Sequence, residues 1–440
     1  MICPLDYRYG RAQMKKIFEE SNRLNYMLKV EGAIALAHAV FGNIPEEDAK
    51  KIAEVADTSH VKIERVKEIE AEVKHDVMAV VKALTEVAGA SGKYVHLGAT
   101  SNDIIDSANA LQIKDALKLI EEDLIELRRT LVHLAKKHKN TVMIGRTHGQ
   151  HAVPITFGLK IAVFATEFAR HEQRLREGYP RFIAGKLLGA VGTGAALGEN
   201  ALEIQEKVME NLGIAAENGC TQVVGRDRYI ELVCLLANIA TTCEKFATEI
   251  RNLQRTEVNE VAEHFEEKQV GSSTMPHKRN PVLAENICGL ARILRSFVIP
   301  AFENNIMWHE RDLTNSSAER FIIPHAFVLC DDILQKTILL AGKLNVNAEV
   351  MRKNIEMTNG LVMSERVMIA LTKHGMGRQE AHEVLRQLSN EVLVNKKHLK
   401  ELLIEKNILS KEEVEKIFEA ETYVGVADKI VDRIVKQLGD

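Results

Sequence analysis

The chain has 440 residues, 27% of them charged, and its 58 lysines and arginines nearly balance 62 aspartates and glutamates, leaving a net charge of −4. That balance excludes a broad basic face for nucleic acid, while leaving room for a local cationic pocket that takes a small anion. No apolar run reaches the length of a membrane span, and the first residues lack a signal peptide's apolar core. Six scattered cysteines form no CxxC pair, so the expectation is a reduced, cytoplasmic protein with neither membrane nor nucleic acid as partner.

Eight prolines leave 46–153, 181–275 and 325–440 without one. Apolar residues recur at three and four rather than at two, so the spacing predicts an all-α chain. Val66, Ile69, Val73, Val77, Val80 and Leu84 form the first stripe and predict one helix through "EVKHDVMAVVKAL". His75 lies two residues past Val73, about 200° around that helix. It therefore faces away from the stripe, toward solvent or toward another surface. "GASGKYVHLGATSND" (89–103) reads as a turn, in which His96 precedes Thr100, Ser101 and Asn102, neutral donors able to hold a carboxylate. Leu117, Ile120, Leu124, Leu127, Leu131 and Leu134 make a second stripe.

"GRTHGQHAVP" (145–154) carries Arg146, Thr147, His148 and His151 between a glycine and a proline. The H-x-x-H spacing has no third ligand nearby, which argues against a metal. An imidazole flanked by Arg and Thr suits a general acid near neutral pH instead. The glycines of "GAVGTGAALGEN" (189–200) run one residue too long for a dinucleotide fingerprint and lack a βαβ context, so a tight turn between helices is expected. Leu232, Leu236, Ile239, Cys243, Phe246, Ile250 and Leu253 then follow a strict 4-3-4-3 rhythm. Such sustained spacing fits a bundle of long helices, some packed between subunits, with Cys243 as a small core residue.

"GSSTMPHKRNP" (271–281) cannot be a regular helix: Gly271 opens it, Pro276 interrupts it and Pro281 closes it. As a loop it offers Ser272, Ser273, Lys278 and Asn280, hydroxyls and a cation suited to a reacting carboxylate. In "ERDLTNSSAER" (310–320), Ser316 to Glu319 has capping-box spacing and predicts a helix start there. With Arg311 and Arg320 alongside, that start suits a phosphate as well as ordinary capping, although Pro324 comes early for such a helix. Soft boundaries near 94 and in "GKLNVN" (342–347) suggest domains at 1–94, 95–343 and 344–440.

Together these segments carry a resemblance. "GSSTMPHKRNP" resembles the GSSxMPxKxNP loop of the fumarase/aspartase superfamily of elimination enzymes. "RYG" (8–10), "KHDV" (74–77), "HLGATSND" (96–103), "RTHGQHAVPITFG" (146–158), "TQVVGRDRYIE" (221–231) and "RDLTNSSAER" look like segments of the adenylosuccinate lyase family, in order. The resemblance implies a three-domain helical subunit, a homotetramer built through its central helices, and active sites shared between chains. It implies Ser272 as the base, Lys278 and Asn280 as stabilisers of the reacting carboxylate, and His148 as the acid, with His75 and Glu285 supporting it.

Lys74, Asp76, Thr147, Ser273 and Arg279 fall in the same matched segments and are expected to contact substrate. Thr100, Ser101 and Gln222 match positions for a succinyl group. Arg8, Tyr9, Arg311, Arg320 and Ser316 or Ser317 match positions for the nucleotide and its phosphate. No metal or organic cofactor is implied. Two departures stand out: "GATSND" replaces the commoner "GLTSTD", and Asn286 stands where some relatives carry a basic residue. A carboxymuconate cycloisomerase and a non-catalytic structural relative are the alternatives. The first should need no phosphate site, and intact Ser272, His148 and Lys278 argue against the second.

Overall fold

The computed structural model describes residues 2–266, 274, 275 and 277–439. Two compact units divide the chain: Met1–Leu124, His171–Thr241 and Gly289–Gln335 in one, Ile125–Arg170, Thr242–Cys288 and Lys336–Asp440 in the other. Helices dominate both, as the three-and-four spacing requires. In the first unit, α1 (Glu20–Val40) buries Leu24, Leu28 and Ile34 in a common core with α2 (Ile63–Val73) and α3 (Asp76–Ala88).

The first stripe thus belongs to two helices, not one. Lys74 turns left-handed at φ 54°, His75 is extended at φ −148°, and the His75 Nδ1 accepts the Met78 amide at 3.3 Å as the cap of α3. Neither Gly nor Pro marks this break. Val66 and Ile69 before it and Val77, Val80 and Leu84 after it still reach the same core, so the apolar pattern survives while the helical phase between Val73 and His75 does not.

Next comes α4 (Ser101–Lys137), which hides its whole stripe from Leu117 to Leu134. An antiparallel hairpin of β1 (Val142–Thr147) and β2 (Gln150–Thr156) follows, where no strand was expected. Its seven-residue second strand contains Pro154, which two-stranded pairing tolerates because it has a free edge. Then come α5 (Phe157–Phe182), α6 (Asp227–Leu253), α7 (Val282–Ser296) and α8 (Thr314–Gly342), and further helices follow, Arg378–Asn395 among them. Among the described residues the other strands are two pairings of two residues each.

Every residue of the α6 stripe is buried. Cys243 packs there, and burial pushes its thiol up to about 12, which makes it inert. All six cysteines are free thiols. Because both long stripes are covered within the chain, the exposed apolar side chains lie elsewhere: Ile299, Phe302, Ile306, Trp308, Leu313 and Phe321 are each more than half exposed.

The N-terminal segment of the first unit is held by a buried acidic pair. Arg11 reaches Asp123 at 2.9 and 3.1 Å and also bonds Asp331, while Gln335 donates to Asp123 at 2.8 Å. Burial, and then the charge of Asp331, push the Asp123 carboxyl up to about 7. An acid raised in the folded state holds its proton there longer than in the unfolded chain. Its contribution is therefore whole below about pH 4 and is lost as pH rises through about 7. Asp123→Asn should flatten the fall in stability between those limits, which for one such shift is at most about 4 kcal/mol. Urea midpoints at pH 5 and pH 8, compared with the unaltered chain, check this.

Candidate functional site

In the second unit the hairpin presents His148. Thr147 pairs with Gln150, so His148 and Gly149 are a two-residue turn, both at positive φ (52° and 73°). That is the I′ pattern, whose twist suits a hairpin and which usually takes Asn-Gly. The result is an exposed imidazole at the tip, with Thr147 exposed beside it. Arg146 is engaged elsewhere: its guanidinium makes two 2.8 Å bonds to the buried Glu260, which also accepts from Asn354. This fork pins the root of the hairpin. His151 sits across from Arg146, lowered in pKa by burial and then by that arginine's charge, with Nδ1 buried and unpartnered. Among the described residues no group of three or more His, Cys, Asp or Glu converges as metal ligands do.

The same unit carries what is described of the "GSSTMPHKRNP" loop; Ser272 and Ser273 lie outside the described residues. Lys278 is exposed, its amide donating to the Met275 carbonyl at 3.0 Å. Asn280 lies two residues before the start of α7, its carbonyl accepting the Val282 amide at 2.9 Å. Glu263 caps that helix, accepting the Leu283 and Ala284 amides at 3.1 and 2.6 Å. Gln254 ties the Glu263 amide to the Arg279 carbonyl at 2.9 and 3.1 Å. Arg279 itself lies over the Phe265 ring, 5.1 Å from its centroid, a cation–π contact. Glu285 is exposed in the first turn of α7, and Asn286 next to it has a buried Oδ1 without a partner. Neither Glu263 nor Gln254 was legible beforehand, since a cap is recognised only once the helix start is known.

In the first unit several expected residues converge. Asp103, fully buried, accepts the Thr100 amide at 2.8 Å and the Leu188 and Gly189 amides at 3.2 Å each, and pairs with the equally buried Lys186. This draws Thr100 and Ser101 toward the glycine-rich turn. That turn needs its glycine: at Gly192 (φ 82°) a Cβ would sit 2.1 Å from the Cys220 carbonyl oxygen. Gln222 donates to the Ala190 carbonyl at 2.9 Å and accepts from Arg311 at 2.8 Å. Beyond it, the buried Arg226 bridges Asp106 (2.9 Å) and Glu319 (2.9 Å).

Here the expected capping box fails. α8 starts earlier, at Thr314, whose amide is held by Asp312 at 2.8 Å, and Glu319 turns inward to Arg226 and Asn315. A buried cation outbids a solvent-facing cap, and Pro324 sits inside the helix. Ser316 thus lies in the first turn of α8. It lines a cavity of about 130 Å³ with Arg23, Asn102, Arg311 and Arg320. Ser317 is exposed and outside that lining. Arg320 bonds Asp76 at 2.8 Å, tying the cavity to the Lys74–His75–Asp76 break. Burial alone would raise the Asp76 carboxyl, but the Val77 amide and Arg320 together hold it below its ordinary range.

Arg8, Tyr9, His96 and Lys74 stand apart from the cavity. Arg8 is exposed and Tyr9 half-buried just past a short helix, Pro4–Tyr7, and neither lines the cavity. His96 pairs with the buried Glu31 at 2.7 Å. Burial opposes its charge, yet that carboxylate keeps the imidazole above its ordinary pKa. Lys74 is exposed at the left-handed position.

Two family models match the chain: "Lyase" over residues 7–294 and "Adenylosuccinate lyase C-terminus" over residues 360–434. The chain is 54% identical to an adenylosuccinate lyase of Pyrococcus horikoshii, over 99% of this chain and 97% of that one. It is 50% identical to one of Methanocaldococcus jannaschii, over 99% and 96%. Among solved structures it is similar to a 3-carboxy-cis,cis-muconate lactonizing enzyme of Pseudomonas putida (TM-score 0.90, 34% identity, 99% and 98% covered). A fumarate lyase of Mesorhizobium sp. BNC1 is similar too (TM-score 0.89, 32% identity, 97% and 98% covered).

Proposed function

The chain belongs to the adenylosuccinate lyases of the fumarase/aspartase superfamily, carbon–nitrogen lyases, and from that premise we propose that it eliminates fumarate from adenylosuccinate to release AMP. The same chemistry converts the succinyl-carboxamide ribonucleotide (SAICAR) to AICAR, placing the enzyme in purine biosynthesis. The observation that carries the reading is identity of 54% along nearly the whole chain to a curated lyase, together with the arginine-lined cavity that a phosphate would require.

In this reading Ser272 removes a proton from the carbon beside a succinyl carboxylate. Lys278 and Asn280 neutralise the charge that accumulates on that carboxylate, a contribution of several kcal/mol in comparable sites. The C–N bond then breaks, fumarate leaves, and His148 protonates the purine nitrogen. Its place at the tip of a two-residue turn supports this role, because nothing on the hairpin shields it. Glu285 and His75 support the acid. Thr100, Ser101 and Gln222 hold the succinyl part. Arg311, Ser316 and Arg320 hold the phosphate, with Arg8 and Tyr9 on the nucleotide. Lys74, Asp76, Thr147, Ser273, Arg279 and Asn286 complete the contacts.

We assign the enzyme to the cytoplasm as a homotetramer. Free thiols fit a reducing compartment, and the exposed apolar run from Ile299 to Phe321 supplies surface for association. No described helix is long and apolar enough to cross a membrane. The direct test is the absorbance change on adding adenylosuccinate to the purified protein, with carboxymuconate as control. Turnover of carboxymuconate alone would favour the cycloisomerase reading.

Arg311→Ala and Arg320→Ala are expected to raise KM for the nucleotide more than they lower kcat. One lost charge-assisted contact costs roughly 1.5–3 kcal/mol, about ten- to hundredfold. If substrate without its phosphate is affected equally, the assignment is wrong.

Sharing of sites between chains has its own test. His75→Ala and Ser272→Ala proteins, each nearly dead, are mixed under conditions of subunit exchange. If the two residues of a site come from different chains, random assembly restores roughly a quarter of sites. A mixture that stays dead after mass spectrometry has shown exchange would refute it.

A further inference from the structure

Four guanidiniums line the first-unit cavity, and they are not equivalent. Arg226 has Asp106 and Glu319, and Arg320 has Asp76. Arg311 bonds only the neutral amide of Gln222 among the described residues, and its Nε is buried without an acceptor. Arg23, half-buried in the first turn of α1, makes no side-chain hydrogen bond or ion pair with any described residue. Asn102, only 2% exposed, lines the same cavity with its Oδ1 unpartnered, an acceptor that a donor group of a ligand would satisfy and a dianion would not.

An unsatisfied buried polar group costs about 1–3 kcal/mol, and such groups gathered around one cavity mark a place a ligand completes. Two cations with no carboxylate bonded to them, beside one serine hydroxyl, match a dianionic phosphate monoester in charge and in donor count.

We propose that Arg23 is a phosphate-recognising residue of this enzyme, acting with Arg311 on the dianion and setting the preference for a nucleotide over a nucleoside. The inference rests on the cavity being the phosphate pocket of the lyase reading, and it adds a contact from α1 to those made by the loop before α8 and by α8 itself. Burial and then the like charge of Arg320 both disfavour the Arg23 cation in the empty cavity. A bound dianion relieves both effects, so the contact strengthens when the phosphate arrives.

The test uses the assembled enzyme with Arg23→Gln and Arg23→Lys. Affinity for inorganic phosphate is read by calorimetry, and KM and kcat are read with adenylosuccinate and with its nucleoside analogue lacking the phosphate. Arg23→Gln is expected to weaken inorganic phosphate and raise KM for the nucleotide roughly ten- to hundredfold. Its kcat should change by no more than a few-fold, and the nucleoside should be handled as by the unaltered enzyme. Arg23→Lys should recover part of the loss, because it keeps the charge but not the fork. Equal loss on nucleotide and nucleoside would show a structural role and overturn the proposal, as would unchanged phosphate affinity. Should Arg23→Gln fail to fold, Arg23→Lys alone decides by the same ratio. Should the unaltered protein bind phosphate through Arg23 but not turn over adenylosuccinate, the lyase reading fails while the phosphate contact stands.

Discussion

Ser272→Ala is expected to bind adenylosuccinate almost as the unaltered enzyme does, while kcat falls by about a thousandfold or more. Proton transfer by a positioned group contributes on the order of 10²–10⁴, and loss of a base leaves the ground-state contacts in place. A residue that acts only in the transition state lowers kcat and kcat/KM together. The measurement is single-turnover kinetics alongside equilibrium binding of substrate to the variant. A kcat within tenfold of the original would remove Ser272 from the role of base. A serine hydroxyl holds its proton at neutral pH, so neighbouring cations have to favour its alkoxide. Lys278→Ala should accordingly lower kcat as well, and the double variant should lose less than the product of the two single losses, because the residues act on one step.

The largest effect on stability is expected at Asp103. It and Lys186 are both fully buried, and three backbone amides end on the same carboxylate. Asp103→Ala strands an ammonium in the core and orphans those amides, which should cost about 3–5 kcal/mol. Chemical denaturation at neutral pH reads this directly. Replacing both partners, as Asp103→Leu with Lys186→Met, removes the stranded charge but leaves the three amides without an acceptor, so it should recover only part of the stability. Activity should not return with it. The carboxylate also sets where Thr100 and the turn at Gly189 lie, and through Ala190 and Gln222 it fixes the approach of Arg311. A single-variant cost under about 1 kcal/mol would show that Lys186 finds another partner or water.

The apolar stripes were legible because helical spacing is a local property. Residues three and four apart share a face whatever lies opposite, so Leu117 to Leu134 and Leu232 to Leu253 were read as seams of a helix bundle, some of them between subunits, and both are buried within the chain itself. The expectation of an almost wholly helical chain held for the same reason, as did the preference for a turn at the 189–200 glycines. The resemblance also named residues that the cavity brings together: Arg311, Ser316 and Arg320. Composition could not have singled out the two arginines among 58 basic residues.

Other features depended on partners far away in the chain. Glu319 has a cap's spacing from Ser316, but Arg226, 93 residues earlier, claims it in the interior. Arg23 lies in an unremarkable polar stretch, and nothing around it announces a cavity that Arg311 and Asn102 close from other segments. The break at Lys74 was hidden because neither side of it carries a glycine or proline. Without a covalent restriction on φ, a left-handed residue is selected by how the two flanking helices pack. The same holds at His148, where the pairing of two strands, and the Arg146–Glu260 fork that roots them, lifts an imidazole into solvent. Sequence alone determined which residues seek the core and which family's chemistry the chain carries, because both are written in short-range patterns. Tertiary structure decided which charges are already neutralised and which are left to meet a ligand, because that balance is struck between groups far apart in the chain.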